Sequence, residues 1–354
     1  MSDTASAASS TNPSADFIDQ AVPLAPGHAL HALRRERPRI VEATQASQAA
    51  MFGDGVAGLS VRHRQAVALH VCLLAGAPGL AALYRQALLD GGAPPDHVQA
   101  LGSDGVAAVV SPRLAVLLHF AATLTRRPLD GDRAAIAALQ AAGLDAAATV
   151  ALGQLVAYLS YQVRLVAGLQ ALAAAGPAPA LRSDAPGALP APPVVAPAGT
   201  APLEINGFTT ATLGWLPWLP TVAPETATPA QLAALDAMNA SARQSPYFLL
   251  LAHQPELLLQ RSIAFNAIMF APGGLSRAER ELGATVESRL NGCVYCTAVH
   301  AQRFEQLARR NDVLRQLFEQ PEGAGTSPRE RAIVAFSARL GLAPQALAAA
   351  DVQA

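Results

Sequence analysis

The apolar positions of this chain recur at the spacing of helices. From Leu275 to Leu290 they trace one helix, Asn291-Gly292 reads as a tight turn, and Cys293 to Arg309 reads as the next helix. The stretch Leu152 to Leu172 is more apolar, but Gln154, Gln162 and Arg164 interrupt it, which fits a buried helix better than a membrane span. From Ala173 to Pro202 the periodicity stops. Pro, Ala and Gly alternate there, as in a semi-extended linker. Residues 1–15 are rich in Ser, Thr and Ala, with neither a basic start nor an apolar core. They read as a disordered N-terminus, not as a signal peptide or anchor.

The segments flanking the linker carry one pattern twice. Gly58-Leu59-Ser60 and Gly274-Leu275-Ser276 both precede helical stretches, with Ser60 and Ser276 216 positions apart. The same offset pairs Arg64 with Arg280, Gly76 with Gly292, and Ser111-Pro112-Arg113 with Ser327-Pro328-Arg329. It also pairs Phe120 with Phe336, Leu124 with Leu340 and Pro128 with Pro344, without a gap. The expectation is a duplicated helical unit: one domain over 16–172, a linker over 173–202, and a second domain over 203–354. The first half continues with Gly143-Leu144-Asp145 and a helix through Tyr158, Tyr161 and Arg164, whereas the second stops before an equivalent. A truncated product is the expectation, because a unit lacking its last helices would expose core surface. Completion by another subunit or by the first half is the alternative.

Composition supports the helical reading and narrows the function. Apolar residues make up 51% of the 354 and charged residues 14%. Ala and Leu dominate, while β-branched and aromatic residues are sparse. A formal net charge of −1 gives no electrostatic footing for nucleic acid. There is no lysine, which excludes Schiff-base catalysis and a phosphate-loop lysine. Three cysteines, two of them closely spaced, point to a reducing compartment and a catalytic or metal-binding pair, not a disulfide framework. A soluble cytoplasmic protein with no membrane or nucleic-acid partner is the expectation.

The candidate chemistry lies at the predicted turn. Cys293, Cys296 and His300 follow one another at spacings of three and four, which places them on one helix face. The cysteines fall in the first turns, where unpaired amides and the helix dipole favour a thiolate. If the two helices run antiparallel, Glu281, ten residues before Asn291, meets His300, eight residues after Gly292. Glu281, His300 and Cys296 then form a relay, directly or through water. The glutamate orients or charges the imidazole, and the imidazole takes the thiol proton. Zinc competes with this reading, but a structural site wants a fourth protein ligand and no third cysteine is near. No metal is therefore expected.

The first half lacks this chemistry. At the same offset Glu281 faces Gln65, Cys293 faces Ala77, Cys296 faces Leu80 and His300 faces Tyr84. Cys72 faces Ser288 and lies in an apolar stretch, as an inert core cysteine does. Trp215 and Trp218, in an apolar segment after the linker, read as packing across the halves, with a wall of the substrate pocket as the alternative.

Glu281 followed by Cys293-Val294-Tyr295-Cys296 and His300 closely resembles the alkylhydroperoxidase D family, part of the carboxymuconolactone decarboxylase-like superfamily. The run Leu275 to Glu281 also resembles the helix that leads into the site of peroxidase-related members. The motif spans about Gly274 to Phe304, and through the repeat the likeness extends over about Phe52 to Leu172 and from Gln231 onward. The resemblance implies an all-α fold of tandem alkylhydroperoxidase D-like helical domains, the first lacking the motif, and association into homo-oligomers. It implies Cys296 as the peroxidatic cysteine, Cys293 as the resolving one, His300 and Glu281 as the proton relay, and no bound cofactor. A hydroperoxide would oxidise Cys296 to a sulfenic acid and Cys293 would condense with it. An external dithiol, a lipoyl group or a thioredoxin-like protein, would restore the pair. Two alternatives stay open. One is a carboxymuconolactone decarboxylase-like lyase or isomerase, against which the reactive dithiol argues. The other is a non-enzymatic redox-sensing helical scaffold.

Overall fold

The computed structural model describes residues 16–176 and 201–353. The expected disordered N-terminus and most of the expected linker lie outside the described residues. The fold is all-α apart from one small hairpin. In the first half the helices are α1 Phe17–Ala21, α2 Ala29–Arg35, α3 Pro38–Phe52, α4 Val61–Leu74, α5 Pro78–Asp90, α6 Pro95–Ala100, α7 Pro112–Arg126, α8 Arg133–Ala141 and α9 Ala146–Ala175. Strands β1 Glu204–Ile205 and β2 Phe208–Thr209 pair antiparallel. The second half follows as α10 Pro229–Asp236, α11 Pro246–Leu251, α12 Pro255–Met269, α13 Arg277–Leu290, α14 Val294–Ala308, α15 Asn311–Glu319, α16 Pro328–Leu342 and α17 Ala349–Gln353.

The helix starts follow from local chemistry. Ser60, Ser111, Ser276 and Ser327 cap α4, α7, α13 and α16, each side chain accepting the N–H of the third helical residue. Such a cap satisfies one of the orphan amides of the first turn. At Ser276 and Ser327 a glutamate three residues on bonds back to the cap amide, completing a capping box. These serines are pairwise 216 positions apart, and α4 and α13, like α7 and α16, begin and end at that same offset. Arg64 and Arg280 also share a task. Arg64 donates to the carbonyls of Met51, Gly53 and Leu59. Arg280 donates to those of Ile268, Met269, Ala271 and Gly273. Each guanidinium fork thus ties the end of one helix to the start of the next.

Contacts between the halves are reciprocal. Helices α3 and α12 pack on each other. The residue capping α3, Arg37, donates to the Gly273 carbonyl at 2.7 Å, and the residue capping α12, Gln254, donates to the Ala57 carbonyl at 3.1 Å. Ala57 and Gly273 are 216 positions apart. Leu129 of the first half lies against Gly292 of the second, while their counterparts Gln345 and Gly76 face each other in the opposite sense. Exchange of the same contacts in both directions is the pattern of a two-fold interface.

The long helix α9 serves both halves. Leu152, Leu155 and Leu159 are fully buried in the first-half core, and the helix also packs on α16 and α17. Its Arg164 donates to the Gly341 carbonyl at 2.6 Å and pairs with Glu287 at 3.3 Å. By length and composition α9 is the one helix among the described residues apolar enough to cross a membrane, yet its apolar face lies in this core. Residues 173–175, expected in the linker, still belong to α9, because alanine propagates a helix until Gly176 turns it at φ +78°.

Candidate active site

Helices α13 and α14 form the antiparallel pair that holds the predicted residues. Asn291 ends α13, Gly292 reverses the chain at φ +69°, and Cys293 caps α14. That positive φ is open to glycine at no steric cost, which explains the Asn-Gly signal. Cys293 therefore precedes the helix proper, with its sulfur accepting the Cys296 amide N–H at 3.2 Å. The two cysteines are joined as a disulfide, with Cα atoms 5.3 Å apart. That separation lies inside the usual range of about 4.4–6.8 Å for bridged pairs. Both cysteines are partly exposed, at the turn end of the hairpin.

Across the hairpin, His300 Nδ1 meets Glu281 Oε2 at 2.7 Å, as their similar distances from the turn, ten and eight residues, predict. Glu281 is 1% exposed, and its second oxygen, Oε1, accepts Arg277 Nε at 2.8 Å and Arg277 Nη2. Burial by itself would raise this carboxyl. The hydrogen bonds from His300 and Arg277, with their charges, outweigh it and hold Glu281 below the ordinary carboxylate range. A charged carboxylate on Nδ1 fixes the imidazole ring and leaves Nε2 as its other working atom. His300 lies one helical turn beyond Cys296 on α14.

Arg277 is the residue the sequence reading missed. Its signal was the spacing of four to Glu281 on one helix, the geometry of an ion pair. It also stacks on Phe270, with Cζ 4.0 Å from the ring centroid. A second missed element is the hairpin β1–β2, announced by Asn206-Gly207 between two short β-prone pairs. Phe208 enters the second-half core, and Gln302 of α14 bonds Thr210 O and Thr212 Oγ1. The segment is thus laid along α14. It brings Trp215 against Tyr295, which sits between the cysteines, at 6.4 Å, and against Tyr247 at 5.6 Å. Farther along, Trp218 lies under Arg133 of α8. Trp218 therefore packs across the halves, and Trp215 stands beside Tyr295, which lies between the two cysteines.

The counterpart positions in the first half are closed. Ala77, Leu80 and Tyr84 are buried, and the Tyr84 hydroxyl bonds Gln162 Oε1 at 2.6 Å and reaches Gln48 Oε1 at 3.2 Å. Cys72 is fully buried, and burial pushes its thiol far up. Among the described residues no cluster of three His, Cys, Asp or Glu side chains is arranged to hold a metal ion.

Comparison with protein families matches residues 255–338 to the carboxymuconolactone decarboxylase family. No curated protein and no solved structure matched the chain. The matched segment runs from the start of α12 into α16 and contains Glu281, Cys293, Cys296 and His300. Residues 255–338 thus carry the pattern of the carboxymuconolactone decarboxylase family, part of the alkylhydroperoxidase D-like superfamily.

Proposed function

We propose that the second half is a thiol-dependent hydroperoxidase working through Cys296 and Cys293. The observation that carries this reading is the Cys293–Cys296 pair at the start of α14, one turn from an imidazole locked on a buried carboxylate. In the reduced protein, His300 Nε2 takes the Cys296 proton and the thiolate attacks the distal oxygen of a hydroperoxide. The O–O bond breaks, and the alkoxide leaves with the proton returned by the imidazolium. Cys296 is then a sulfenic acid. The Cys293 thiol attacks its sulfur and expels water, closing the disulfide.

An external dithiol reopens the pair by attack on the Cys296 sulfur. Cys293 is the better leaving group in that step, because its sulfur already accepts the Cys296 N–H and sits at a helix N-terminus. Two electrons pass from the dithiol, which becomes a disulfide, and two protons return to the cysteines. A lipoyl group or a thioredoxin-like protein supplies that dithiol, and a reducing compartment suits the cycle. A lyase of the decarboxylase type has no use for the pair, and decarboxylation that survives Cys296→Ser would favour it instead. Disulfide formation without turnover by any dithiol would favour the sensor reading. The test is peroxide consumption with dihydrolipoamide as reductant: sustained turnover that is lost in Cys296→Ser supports the peroxidase, and equal rates in wild type and variant contradict it.

A further inference from the structure

A cavity of about 230 Å³ lies where α3, α9 and α12 meet, between the two halves. No cysteine lines it, and it shares no residue with the redox site. Junctions of this kind are frequent places for small-molecule sites. Met51, Leu257, Phe265 and Ile268 give it apolar walls, and several polar side chains, Gln154 and Arg261 among them, interrupt these. Gln154 Nε2 is buried without a hydrogen-bond partner, a state that costs about 1–3 kcal/mol. Arg261 lies over the Tyr247 ring at 5.9 Å. The ion pairs among the described residues engage other arginines. Its counterpart at the repeat offset, Gln45, is by contrast engaged, accepting the Phe17 amide.

Gln154 Nε2 lacks an acceptor and Arg261 engages no carboxylate among the described residues, so an occupant with acceptor oxygens and negative charge at one end and hydrocarbon at the other suits the site. We propose that this cavity binds a small amphipathic monocarboxylate. Its carboxylate faces Arg261 and Gln154, and its chain lies against Met51, Leu257, Phe265 and Ile268. One guanidinium matches one negative charge in a planar fork, whereas a phosphate monoester carries nearly two. The volume falls below the roughly 300 Å³ at which drug-sized sites begin, which suits a short or medium chain.

Calorimetric titration of the whole protein with octanoate, and with 1-octanol as its uncharged counterpart, tests this. Octanoate should bind saturably at one site. Arg261→Gln should weaken octanoate by about tenfold or more, the worth of a charge-assisted hydrogen bond, while leaving 1-octanol unchanged. Arg261→Lys, which keeps the charge but loses the planar fork, should fall between wild type and Arg261→Gln in octanoate affinity, and Ala264→Phe, which fills the cavity, should abolish both. No saturable octanoate binding, octanoate affinity unchanged in Arg261→Gln, or full binding in Ala264→Phe would each overturn the proposal. Because the readout is binding alone, a failure here leaves the peroxidase reading standing, and the converse holds as well.

Discussion

At the scale of single residues, the site rests on a charged carboxylate held in the interior. Glu281 titrates below its ordinary value of about 4.3, so its stabilisation is complete above that value. It drains away as pH falls through the folded pKa. Glu281→Gln should therefore cost about 1–3 kcal/mol at pH 7, with the gap from wild type narrowing on acidification. Urea unfolding between pH 7 and pH 3 measures it, and a gap independent of pH would contradict the assignment. The cysteines carry a sharper expectation. Cys296→Ser should end peroxide consumption, whereas Cys293→Ser should leave a sulfenic acid that dimedone traps. Loss of activity in both with no trapped adduct would remove the distinction between their roles. Glu281, Cys293, Cys296 and His300 were legible because helical spacing and a hairpin turn fix their placement. Arg277 was less legible, because a spacing of four from Glu281 marks an ion pair on any helix face. A surface ion pair and a buried clamp look alike until burial is known.

At the scale of elements, the α13–α14 turn is where the sequence pattern and the packing meet. Gly292 is held at φ +69°, and a Cβ there would come within 2.5 Å of a Leu129 methyl. Gly292→Ala should therefore destabilise by about 1–2 kcal/mol from the left-handed backbone alone, plus a packing penalty from Leu129. Leu129→Ala should be nearly neutral alone and recover only the packing part in the double variant. A double-mutant cycle in urea reads that coupling, and a coupling of zero would remove the contact between the halves at this turn. The helix starts were readable from the recurring Ser caps. The end of α9 was misjudged because alanine suits both a helix and a Pro/Ala linker, and only Gly176 marks the boundary. The hairpin at Asn206-Gly207 escaped notice because its strands are two residues each, too short to show alternation.

At the scale of the whole molecule, the two halves hold each other through matched contacts. The caps of α3 and α12 bond carbonyls 216 positions apart, and α9 packs in the first-half core while its Arg164 bonds the Gly341 carbonyl of the second half. This reciprocity supports the duplication read from the sequence. It predicts that the halves unfold as one unit. Both tryptophans lie in the second half, so tryptophan fluorescence and far-UV dichroism should give coincident urea transitions. Two separated transitions would contradict the mutual support described here. Gln254→Ala should shift that single transition down by about 1–3 kcal/mol, since Gln254 is 2% exposed and binds the carbonyls of Ala57 and Ala147. Gln65→Glu, in the closed first-half counterpart of the site, should leave peroxide turnover unchanged. The 216-position offset was legible in the sequence, but the way the two halves face each other was not. Contacts such as Arg164 to Gly341 join residues 177 positions apart, and no local periodicity encodes them.

The most direct test of the central claim is thiol titration of the reduced protein before and after one equivalent of an organic hydroperoxide, followed by peptide mapping. The account predicts the loss of two thiols, a Cys293–Cys296 crosslink, an untouched Cys72, and recovery of both thiols with dihydrolipoamide. Three unreacted thiols in the folded protein would contradict it.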